Sequence, residues 1–177
     1  MLSTTSASFG PASAPFYPSR PDPHGAVVRH GSLAVPRSAE RDFELAEAYL
    51  GRDSVMRSVL DKAEHARRAI HLAINSHGND SYDAVTRTVH WDPHSALETS
   101  RGGRQSAALG LGHELDHATV GDRVRDRGAQ IWDPLFDNAE ERRVILGSET
   151  HAAHTLGEGT RHDHAGDLYW VTSPIVT

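Results

Sequence analysis

Hydrophobic residues recur along this chain first with a helical spacing and then with a strand-like one. The run AERDFELAEAYL sets Phe43, Leu45, Ala46, Tyr49 and Leu50 at intervals of three and four, and Gly51 closes it, which predicts a first helix. Asp53 is placed to cap a second helix through SVMRSVLDKAEHARR, whose Val55, Met56, Val59, Leu60 and Ala63 share one side. The period then shortens to two: Ile70, Leu72 and Ile74 fall on one face of AIHLAIN, and Val89 and Trp91 belong to TRTVHW. A hairpin joining these two strands across SHGNDSYD is the expected arrangement. Farther on, SAALGLGHELDHATV predicts a helix from about Arg104 to Val120, ended near Gly121. Asn138 is placed to cap another helical region, AEERRVILGSETHAAHTLGE, and YWVTSPIVT predicts a short closing strand. Helices interspersed with a small antiparallel sheet point to an α+β fold.

Residues 1–38 lack this pattern. They hold six of the nine prolines and seven serines but a single acid, Asp22, so burial would not offset the entropy of ordering them. The expectation is a flexible leader over residues 1–38, serving as a secretion signal, ahead of a folded domain over 39–177.

Composition then narrows the chemistry. No stretch approaches the roughly 18 uncharged apolar residues that a membrane span needs. A net charge of −6 speaks against a general nucleic-acid binder. With no cysteine there is no disulfide, thiolate nucleophile or cysteine-type zinc site, so any metal must be held by histidine and carboxylate. The 13 histidines are the natural candidates, since neutral imidazole is the commonest protein metal ligand.

Within the Arg104–Val120 segment stands His113-Glu114-Leu115-Asp116-His117. Residues four apart project from one helix face, so both imidazoles can reach one tetrahedral zinc, with Glu114 beside them to act on a water. Gly110 and Gly112 weaken a helix but permit close packing against a neighbouring strand or a substrate backbone. A third ligand is needed. Val120 and Arg123 stand where a metzincin extension requires glycine and histidine, which leaves Glu140 or Glu141 at the start of the next helix. Glu141 is favoured, because its face continues through Ile145, Ala152 and Leu156; adjacent acids can divide the roles of ligand and supporting partner.

The series HWDP (His90 to Pro93), SAALGLGHELDHA, NAEERRVI, Glu149, LGE (Leu156 to Glu158), Arg161, His164 and Gly166 resembles the NleD-like zinc metalloproteases of bacterial type III secretion, which include the HopH and XopG effectors. Related domains also end some polymorphic toxins. The likeness runs in consistent order over about residues 70–175. It implies a zincin-like fold, a bound Zn2+, secretion into a host cell's cytoplasm and a host protein substrate, a signalling kinase among the candidates. The AEE run is also similar to the third-ligand segment of clostridial neurotoxin proteases, which supports Glu141. Two departures stand out: Asp116, a carboxylate that alters the local charge, occupies a place usually uncharged, and Thr119 one usually hydrophobic.

On this reading Glu114 is the general base, and Tyr169, ahead of His164 and Arg161, is the expected donor to the tetrahedral oxyanion. The strand TRTVHW is the expected edge on which an extended substrate pairs. His151 with His154, and His162 with His164, are further histidine pairs for which solvated surface positions are expected. A monomeric zinc endopeptidase is thus set against two alternatives, a non-catalytic zincin-like domain that binds a partner and a toxin domain from a larger secreted protein.

Overall fold

A computed structural model describes residues 26–177, and its fold is α+β. A five-stranded sheet has the spatial order β1-β2-β3-β5-β4, built from β1 (Val27–His30), β2 (Leu33–Pro36), β3 (Ile70–Ile74), β4 (Ser81–Asp83) and β5 (Thr88–Trp91). Three helices pack on it and on one another: α1 (Glu40–Leu50), α2 (Ser54–Glu64) and α3 (Ala107–Thr119). Their shared core includes Phe43, Leu50, Met56, Val89, Trp91 and Leu111. Asp53 caps α2 as expected, its carboxylate accepting the Val55 and Met56 amides at 2.9 Å each.

The folded domain begins earlier than residue 39. Strands β1 and β2 lie within the expected leader, and Leu33 and Val35 are completely buried. This short apolar run is hidden by the proline and serine around it. The rest of the leader, residues 1–25, lies outside the described residues.

The expected hairpin is also replaced. β3 and β5 are parallel neighbours, with Leu72 opposite Val89 and Ile74 opposite Trp91. The SYD segment becomes β4 and pairs antiparallel with β5 through a turn in which Arg87 adopts φ 56°. A parallel neighbour needs a crossover, and the β4 excursion supplies it. The segment after Pro93 forms β6 (Ser95–Thr99) and β7 (Arg104–Gln105). These make a second sheet, ordered β10-β6-β7, with β10 (Gly166–Trp170), which lies N-terminal to most of the strand expected at YWVTSPIVT.

Past α3 come α4 (Asp122–Ala129) and a small hairpin of β8 (Trp132–Asp133) and β9 (Asp137–Asn138). The Asn138 side chain then caps α5 (Ala139–Val144), accepting from the amides of Glu140 and Glu141. This helix runs through a π-helical segment (Ile145–Glu149) into α6 (Thr150–Leu156), which ends at Gly157 with φ 78°.

Removing residues 1–36 should therefore be severe. It deletes β1 and β2, and full burial of Leu33 and Val35 alone contributes roughly 3–6 kcal/mol, comparable to the whole stability of a small domain. Thermal melts of a chain starting at Arg37 should show no cooperative transition, whereas one starting at Ala26 should melt within a few degrees of the full chain. Equal melting of both would place β1 and β2 outside the stabilising core.

Candidate metal centre

Helix α3 is buried along nearly its whole length, and the surrounding contacts fix it at several points. Trp91 donates its indole N–H to the Ala107 carbonyl at 2.8 Å, and Ser106 caps the first turn by accepting from the Leu109 amide. Glu158 accepts from the Ser106 amide at 2.8 Å and from the Tyr49 hydroxyl at 2.7 Å, tying the start of α3 to α1. Gly112 lies against α1 and α2: a Cβ there would sit 2.9 Å from the Met56 sulfur. The close packing expected of this glycine is thus made with helices.

One helical turn apart, His113 and His117 are each 5% exposed, and their Nε2 atoms are 3.0 Å from each other. Glu141 completes the group, its Oε2 lying 2.9 Å from His113 Nε2 and 3.3 Å from His117 Nε2. Ligands about 2.0–2.1 Å from a tetrahedral zinc lie roughly 3.3 Å from one another, so these separations fit a single shared ion. Among the described residues this is the group of histidines and acids whose ligand atoms lie within 4.8 Å of one another.

The opposite nitrogens strengthen the case. His113 Nδ1 meets Glu149 Oε2 at 2.7 Å, and His117 Nδ1 meets Glu140 Oε1 at 3.1 Å. A carboxylate acceptor fixes the proton of a neutral imidazole on Nδ1 and turns the Nε2 lone pair inward. Two inward lone pairs and the Glu141 carboxylate then face each other with no donor among them, an arrangement that a cation satisfies. Glu141 lies between the two rings and Glu140 behind His117, positions compatible with the division of ligand and supporting partner expected from the sequence.

The acids around the two rings also favour their protonated forms. Burial opposes charge on His113, yet Glu141 and Glu149 outweigh it and push its pKa up to about 10. His117 is raised likewise by Glu140 and Glu141 against the effect of burial. Burial works to raise the pKa of each partner carboxylate, but the imidazoles prevail and hold Glu140, Glu141 and Glu149 below their ordinary values. Glu114, 8% exposed beside these rings, is instead raised by burial.

Other residues occupy roles the sequence did not disclose. Glu149 also accepts from Gln105 Nε2 at 2.9 Å. On a regular helix, residues 141 and 149 would differ by about 80° around the axis. The π segment absorbs one residue and returns them to within about 20°, so both reach the His113 ring. Arg143 bridges the acids by donating to both Glu140 oxygens, at 2.7 and 2.9 Å, and to Asp116 at 2.9 Å. Asp116 also accepts from the Ser148 hydroxyl. These contacts hold the α5 region onto α3. Asp80 enters beside Glu114; burial pushes its carboxyl up to about 7, and the charges of Glu114 and Asp92 add to the effect.

Tyr169 is not brought to this centre. The β10–β6 register pairs Leu168 with Leu97 and Tyr169 with Ala96, so Tyr169 occupies the opposite face of the sheet, where Arg104 lies over its ring. His164 does approach: its Nδ1 is 2.5 Å from Asp137 and its Nε2 3.6 Å from Glu141. Arg161 stands 3.6 Å from Glu149. His151 binds Asp53 at 2.7 Å, and neither His154 nor His162 joins the central group. β5 is covered on both sides, so the free edge beside the centre belongs to β4.

Compared with protein-family models, curated proteins and solved structures, the chain matches none.

Binding of a divalent metal should compete with protons for the imidazole nitrogens. Calorimetry of zinc uptake in buffers of different ionisation enthalpy should show one to two protons released per ion, with affinity falling at least about tenfold for each pH unit below 7. His113→Ala should abolish stoichiometric uptake. Affinity independent of pH, or metal content unchanged in that variant, would exclude this group as the site.

Proposed function

We propose that the protein is a zinc-dependent endopeptidase with a zincin-like active site. The observation that supports this most is the convergence of His113, His117 and Glu141 with Glu114 beside them, each imidazole supported by its own carboxylate. A centre of two imidazoles and one carboxylate suits zinc, with room left for water. Bound there, zinc would supply a Lewis acid and lower the pKa of water toward about 7.

The chain's own groups would then carry the proton and position the substrate. Glu114 takes a proton as water attacks the scissile carbonyl and returns it to the leaving amine nitrogen. Burial raises its carboxyl, which suits a group that must both accept and give back a proton. His164, oriented by Asp137, is the donor to the developing oxyanion in place of Tyr169. The exposed edge of β4, Ser81–Asp83, offers backbone groups to an extended peptide in place of β5. The likeness to secreted effectors extends the proposal to delivery into a host cell and cleavage of a host protein there.

Incubation with host lysate and mapping of new peptide termini tests the activity. Glu114→Gln should lower kcat by about 10²–10⁴-fold while leaving fold and zinc content intact, because an amide cannot accept and return the proton. His164→Ala should lower kcat by about 10²–10³-fold with zinc retained, and Tyr169→Phe should have little effect. Wild-type turnover by Glu114→Gln would contradict the mechanism.

A further inference from the structure

A cavity of about 610 Å³ lies away from the cleft at the candidate metal centre, and none of its lining residues belongs to the cavities that touch His113, Glu114, His117 or Glu141. Three separate segments supply its cations: Lys62 from the last turn of α2, Arg67 and Arg68 from the turn that follows, and Arg87 from the turn between β4 and β5. Its remaining wall includes the residues just past α3, among them Gly121 and Asp122. The convergence is therefore made by the fold and not by one basic run.

The charge gathered there is not neutralised by the protein. Four cations, Lys62, Arg67, Arg68 and Arg87, face two acids, Asp61 and Asp122, and Asp122 is already 3.1 Å from Arg125. Among the described residues none of the four makes an ion pair, whereas Arg104, Arg125, Arg142, Arg143 and Arg161 each do. On a chain of net charge −6, an unpaired basic hollow stands out. The partial negative charge at the end of α2 accounts for Lys62 in its last turn. It does not account for Arg87, which is 19 positions beyond Arg68. Arg87 is also held in place: its φ is 56°, a conformation that arginine seldom adopts, and its guanidinium donates to the Ala69 and Arg68 carbonyls at 3.2 and 3.4 Å.

We propose that this cavity binds a soluble small molecule carrying two or more phosphoryl groups. A carboxylate brings one negative charge, whereas a phosphoryl group brings about 1.5–2 at pH 7, so two of them match four cations within one ligand. Guanidinium groups take phosphate oxygens in pairs, which suits a site with three arginines. The volume falls in the ~300–1,000 Å³ range of pockets that enclose a whole small ligand. The site is independent of the peptidase reading.

Calorimetric titration of the full chain with inorganic tripolyphosphate should show one saturable site, weakened as salt is raised, and the melting temperature should climb with ligand concentration. Citrate, a tricarboxylate, should bind at least about tenfold more weakly. Arg67→Ala/Arg68→Ala removes two exposed side chains, and Arg87→Asn keeps a residue that tolerates positive φ; each should weaken tripolyphosphate binding by at least about fivefold with the fold retained. Protein stripped of metal should bind equally well, which separates this cavity from a zinc ion that phosphate could ligate. Absence of uptake, uptake by the metal-loaded protein alone, or affinity unmoved by both arginine variants would overturn the proposal. So would capture of the protein by phosphatidylcholine vesicles containing phosphatidylinositol bisphosphate without uptake of free tripolyphosphate, which would assign the basic hollow to a lipid surface.

Discussion

Two imidazoles turned toward each other in a buried place impose the condition that the rest of this structure meets. His113, His117, Glu114, Asp116, Glu140 and Glu149 are all less than 10% exposed. Removing such groups from water is costly unless each is paired and hydrogen-bonded. The pairing here is nearly complete. Each histidine has a carboxylate behind it, two of those carboxylates have a further donor, and Arg143 joins Glu140 to Asp116. What the protein leaves for a cation is the small space between two Nε2 atoms and Glu141.

The fold serves that centre by bringing distant segments onto one helix. α3 is anchored to the sheet by Trp91 and to α1 by way of Glu158 and Tyr49, while Gly112 lets it lie close against α2. The α5–α6 helix then crosses it, with the π segment setting the phase at which Glu141 and Glu149 reach the same ring. A regular helix of the same length would present one of those acids and turn the other aside. Irregular turns of this kind concentrate where side chains must be aimed. The second sheet and the segment before it close the cleft from the other side with Leu97, Leu168 and His164.

What the sequence disclosed was local. Helical periodicity located α1, α2 and α3, and the polar residues before two helices identified Asp53 and Asn138 as caps, because capping is decided within three residues. The four-residue spacing of His113 and His117 carried their convergence for the same reason. Features decided over longer distances did not show. The order β3-β5-β4 depends on a strand inserted beside β5, which alternation within each strand does not report. Leu33 and Val35 were masked by the proline and serine of their surroundings. Tyr169 was separated from the centre by the β10 register, in which one residue's shift exchanges the faces. Glu149 was not legible beside Glu141, because a regular 3.6-residue phase turns the two to different faces.

The most direct test of a zinc centre held by these residues is X-ray absorption at the zinc edge of protein purified without added metal. The expected result is one zinc per chain with two imidazole nitrogens and one or two oxygens at about 2.0–2.1 Å, and no sulfur. Loss of one oxygen neighbour in Glu141→Ala, with both imidazoles retained, would identify the third ligand. A full chain with no bound zinc, or a zinc whose imidazole neighbours persist in His113→Ala and His117→Ala, would contradict it.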